Sequence, residues 1–115
     1  MDIFLSTSVE KFSKILESLG FKITKKRKYY CAILNKCDGR IHAPFCKLKD
    51  KIYCDLHFDL KIHFMFMGVD FKIIPKMFFD KKIKPLLKSH RIKFKVKETC
   101  YLKRKNKAIF KGFRV

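Results

Sequence analysis

From Ile52 to Phe66 the chain reads IYCDLHFDLKIHFMF, and its apolar residues fall on every second position. Cys54, Leu56, Phe58, Leu60, Ile62, Phe64 and Phe66 share one side with Ile52. Tyr53, Asp55, His57, Asp59, Lys61 and His63 share the other. Alternation of this kind predicts a strand with one face in the core and one face turned out.

A different period precedes it. In SVEKFSKILESL (8–19), Val9, Phe12, Ile15, Leu16 and Leu19 recur at intervals of three and four, which predicts an amphipathic helix. Ser8 is placed to cap its start and Gly20 to end it in a left-handed conformation. Short strands are expected over 21–24, 29–34 and 40–45, joined by the basic turn Lys25–Lys28 and by a turn over 35–39 rich in Asn, Asp and Gly. Beyond the central strand, 67–70 reads as a turn and 71–74 as a short strand. A second helix is expected over 76–88, with Met77, Phe78, Ile83, Leu86 and Leu87 inward and Pro85 kinking it or opening a further turn. Alternation returns at Ile92, Phe94 and Val96, and a turn at 103–107 leads to a last strand at 108–113. The expected fold is α+β: a small antiparallel sheet with an N-terminal helix and a second helix near 76–88, in one domain spanning 1–115.

Composition adds a partner class. The chain holds 29 Lys and Arg against 10 Asp and Glu, a net charge of +19. A lysine-rich genome explains Lys over Arg, but not the shortage of acids. A domain so charged repels itself unless a polyanion neutralises it, and nucleic acid is the commonest one. The charge is uneven: residues 72–115 hold sixteen bases against Asp80 and Glu98. No apolar run is long enough to span a bilayer, and the opening MDIFLSTSVEKF lacks the basic and apolar regions of a secretory signal. Cys31, Cys37, Cys46, Cys54 and Cys100 are odd in number and contain no C-x-x-C pair, so reduced thiols in an intracellular compartment are expected.

The candidate nucleic-acid contacts are Lys25, Lys26, Arg27 and Lys28 at one hairpin tip, Arg91, Lys93, Lys95 and Lys97 along a strand face, and Lys103, Arg104 and Lys105 at another tip. Such combs hold phosphates and read no bases. Tyr29 and Tyr30 stand next to the first tip, where they can stack on unpaired bases. The run ILESLGFKITKKRK, followed by YYCAILN and DGRIHAPF, resembles the front of HicA-type toxins. That resemblance covers roughly residues 12–45 and implies a double-stranded-RNA-binding-like architecture. The histidine that serves RNA cleavage in that family is missing, since its place reads Lys28-Tyr29-Tyr30.

The polar face of the central strand is the second constellation. Asp55, His57, Asp59 and His63 project the same way, about 7 Å apart per two residues. Neighbouring His and Asp can share a divalent metal or act as an acid–base pair on a phosphate ester, with His63 or His42 completing the set. Residues 56–62, LHFDLKI, with Ile74-Pro75-Lys76, also resemble a segment of the phosphoesterase domain of bacterial DNA ligase D. In that family the His and Asp help bind a metal. Charge balance within a basic protein is the plainer account of the same residues. A structural zinc site from His42, Cys46, Cys54 and His57 has suitable spacings, but Cys54 and His57 fall on opposite faces of the strand, so none is expected. Two functions follow. One is binding of structured RNA through phosphate contacts, as a ribosome-associated or other ribonucleoprotein component, with DNA as a further partner and without a cofactor. The other is metal-dependent phosphoesterase or nuclease chemistry at the His/Asp face.

Overall fold

The computed structural model describes residues 1–36, 39–60 and 75–97. The expected elements at 61–66, 67–70, 71–74, 103–107 and 108–113 lie outside the described residues, as do His63, Lys103, Arg104 and Lys105. The described chain is α+β. Its strands are β1 (Asp2–Leu5), β2 (Lys22–Lys25), β3 (Tyr30–Asn35), β4 (Gly39–His42), β5 (Phe45–Leu48), β6 (Lys51–Asp55), β7 (His57–Leu60) and β8 (Phe94–Lys97). Every pairing is antiparallel. Helix α1 (Val9–Ser18) follows β1, and α2 (Lys84–Ser89) precedes β8.

The central strand is broken once. At Leu56 it divides into β6, which pairs with β5 and β1, and β7, which pairs with β4. The expected third strand divides in the same way, at Ala43-Pro44. The register does not change across these breaks: His42 faces His57 and Phe45 faces Cys54, in one continuous hairpin. Pro44 has no N–H to donate, so the ladder there keeps only the bond from Asp55 N–H to Pro44 O (2.9 Å). On the other side Leu56 exchanges both backbone bonds with Met1, at 2.9 and 3.0 Å. This anchors β1 beside β6, between β6 and β8. Sequence periodicity gives no sign of β1, because four residues are too few to show one.

The expected division into two faces holds through Phe58. Ile52, Cys54, Leu56 and Phe58 are all at most 3% exposed, and they join one core cluster with Ile3, Leu5, Ile41 and Phe45. Helix α1 covers this face, with Phe12 edge-on to Phe45 at 5.1 Å. Ser8 Oγ caps it by accepting from Lys11 N–H, and Gly20 ends it at φ 98°. The second helical stretch corrects the expected inward set. Phe79 is buried, whereas Met77 is 46% exposed. A π-helical turn follows at Phe79–Ile83, where Lys84 N–H donates to Phe79 O five residues back. Pro75, Phe79, Ile83 and Leu87 are thus buried at every fourth position, a spacing wider than the α period. The widened turn also meets Pro85, which has no N–H to continue an α ladder.

Candidate metal centre and basic groove

The opposite sheet face carries the polar residues, and among the described residues no helix packs on it. In the pairing of β4 with β7, Arg40 faces Asp59 and His42 faces His57. Facing side chains on a sheet stand close, and Asp59 is one same-face step from His57. Three donor atoms converge as a result. His42 Nδ1 is 3.0 Å from His57 Nε2 and 3.8 Å from Asp59 Oδ2, and His57 Nε2 is 3.7 Å from Asp59 Oδ1. The three side chains can offer ligand atoms that all lie within 4.8 Å of one another. Donors bound about 2.0–2.2 Å from a tetrahedral or octahedral ion stand about 3–3.5 Å apart, so the set fits a divalent transition ion after small rotamer adjustments. Two imidazoles and a carboxylate suit zinc, manganese or iron better than calcium.

The far nitrogen of each imidazole is also held. His57 Nδ1 is 3.2 Å from the backbone carbonyl of Asp55 and 3.8 Å from that residue's carboxylate. That carbonyl points at Pro44, which has no N–H to offer it. His42 Nε2 is 2.9 Å from Cys31 Sγ. Such outer partners fix ring orientation and tautomer at metal sites. Burial and the neighbouring His57 both push the His42 pKa down, against a smaller opposing pull from Asp59. The ring is therefore biased to the neutral form, which is the form that ligates. Arg40 Nε donates to Asp59 Oδ2 at 3.3 Å and orients the carboxylate.

Of the expected catalytic set, the structure brings together His57, Asp59 and His42, one of the two histidines expected to complete it, with Asp55 as an outer partner, and adds Cys31 and Arg40. His42 was legible in IHAPF, where Ile41, Ala43 and Phe45 mark the inner face. The contact with Cys31 was not legible, because it depends on a third strand. Cys54 is 1% exposed on the core side, and burial pushes its thiol pKa up. Cys54 and His57 therefore lie on opposite faces of the sheet. Cys31, Cys46 and Cys54 are free thiols.

Lys25, Lys26, Arg27, Lys28 and Tyr29 are exposed, and they line a cleft of about 410 Å³ beside the start of α1. The C-terminal comb needs correction. Only Lys95 and Lys97 lie in β8. Lys93 precedes it, and Arg91 stands in a left-handed turn at φ 56°. Lys93, Lys95 and Lys97 still line one shallow groove with Phe4. Tyr30 is half-buried: its ring stacks on Phe45 at 5.2 Å, and it lines the same cleft as Tyr29. Comparison of the chain with family models, with curated proteins and with solved structures found no match. No helix among the described residues is long and apolar enough to cross a membrane.

Proposed function

We propose that the protein is a metal-dependent phosphoesterase acting on nucleic acid, with RNA as the first substrate to test. The observation that carries this reading is the convergence of His42, His57 and Asp59 on one sheet face, in a chain whose net charge is +19. A divalent ion held by these three residues would polarise a phosphoryl oxygen and lower the pKa of a bound water. The chain's own residues do the rest. Arg40 orients Asp59, the Asp55 carbonyl and Cys31 orient the two imidazoles, and the lysines at 25–28 and 93–97 hold the phosphate backbone. The RNA-binding-like architecture implied by the HicA resemblance belongs to this proposal, as does an intracellular location. The direct test is hydrolysis of a phosphodiester and of an RNA strand by purified protein. Turnover that requires a divalent ion and stops on chelation supports the reading; turnover no higher than background with every ion tried would refute it.

The net charge of +19 favours a second reading, binding without turnover as a ribonucleoprotein component. Both readings make one prediction in common. Affinity for RNA should fall on the order of 10³-fold between 50 and 200 mM salt if six or more phosphates are contacted. Changing Lys93, Lys95 and Lys97 together to Glu should weaken binding to all sequences about equally, because phosphates carry no base information. Titrations at several salt concentrations check both points. A flat salt response would remove phosphate contact from the account, and a loss confined to one sequence would replace backbone contact with base reading.

A further inference from the structure

Beside the donor triad lies a notch of about 330 Å³ whose walls include Tyr29, His42, Pro44, Cys46, Tyr53 and Asp55. It shares Tyr29 and Cys46 with the basic cleft lined by Lys25–Lys28 and Lys47. Tyr29 and Cys46 thus border both cavities, and His42 belongs to both the notch and the donor triad. The two tyrosines differ. Tyr53 is fixed: its hydroxyl donates to Asp2 Oδ1 at 2.8 Å, and its ring packs on Phe4 at 5.3 Å. Tyr29 is 44% exposed at the junction of the two cavities. At the far end, Thr7 Oγ1 lines the basic cleft, buried and without a hydrogen-bond partner among the described residues. We infer that this groove is a subsite for single-stranded nucleic acid: an unpaired base enters the notch against Tyr29 and Tyr53, its neighbouring phosphates lie in the basic cleft, and the next phosphodiester reaches His42, His57 and Asp59. The charge of the cleft selects a polyanion, and the aromatic walls need a free base face, which a duplex keeps stacked. The inference rests on the nucleic-acid part of the proposed function and not on the metal.

The test uses the full chain with a chelator present, so that binding is read without turnover. Fluorescence anisotropy compares a short labelled single-stranded RNA with a blunt duplex of the same sequence. The single strand is expected to bind more tightly. Tyr29→Ala is expected to weaken it about 5- to 100-fold, the range for loss of one base–aromatic stack, while Tyr29→Phe keeps most of the affinity and duplex binding does not change. In the unmutated protein, a photoreactive base in the single strand should crosslink to Tyr29 or Tyr53. Equal affinity for both RNAs, an unchanged Tyr29→Ala, or crosslinks confined to residues away from the notch would overturn the subsite. Tyr29-dependent binding by a protein that shows no turnover with any ion would leave the subsite standing and remove the phosphoesterase reading. Turnover without Tyr29 dependence would do the reverse.

Discussion

Phe58→Ala is expected to destabilise the fold by about 3–5 kcal/mol, the range for truncating a large core aromatic. Phe58 is 3% exposed, on the inner face of β7. It packs where Gly39 has no side chain: a Cβ on Gly39 would lie 2.7 Å from the Phe58 ring and 2.3 Å from the Asp59 carbonyl oxygen. Truncation leaves a cavity there, and the cavity term adds to the lost burial. Because domains of this size are stable by only about 5–15 kcal/mol, that loss is a large share of the total. Lys51→Ala, at an exposed position next to buried Ile52, should change stability by less than about 0.5 kcal/mol. Urea unfolding of the two variants checks the division between faces; equal sensitivity at both sites would contradict it.

His57→Ala is expected to abolish divalent-dependent turnover and to leave the fold intact. The side chain is 35% exposed and packs edge-on to His42, with ring centroids 4.7 Å apart. Its removal takes one of three donors from the ion and leaves the core untouched. A surface change of this kind is worth about 0.5 kcal/mol or less, so the melting temperature should move by no more than a few degrees. Asp59→Asn should act in the same direction, because an amide gives the ion no charge. Turnover that survives His57→Ala would place the chemistry elsewhere, and a collapsed melting temperature would make the pair a structural contact.

The faces of the sheet were legible wherever a period had room to repeat. From Ile52 to Phe58 the inner and outer residues stand as the alternation requires, and α1 begins and ends where Ser8 and Gly20 place it. The departures have local causes that a period cannot express. Leu56, where the central strand divides, bonds to the backbone of Met1, which is remote in sequence and brought close by β1. The inward residues of this stretch follow a four-residue spacing through a π-turn, which the α period that placed Met77 inside does not express. Tyr30 is aromatic beside a basic turn, as a stacking residue would be, and its packing on Phe45 depends on a strand pair that a period does not show. For the site, His57 and Asp59 were readable as neighbours on one face. Their convergence with His42 needs the register of a hairpin whose two arms are each interrupted, and the role of Pro44 in freeing the Asp55 carbonyl appears only once that register is known.

The central claim is that His42, His57 and Asp59 form one divalent-ion site. Titration of the metal-free protein with zinc, manganese and cobalt, followed by calorimetry and by the cobalt absorption spectrum, tests it most directly. The account predicts one ion per chain for at least one of these metals, lost in both His57→Ala and Asp59→Asn and retained in Cys54→Ala, whose thiol is buried on the other face. Absence of binding for all three metals, or stoichiometric binding that survives the loss of both His57 and Asp59, would contradict it.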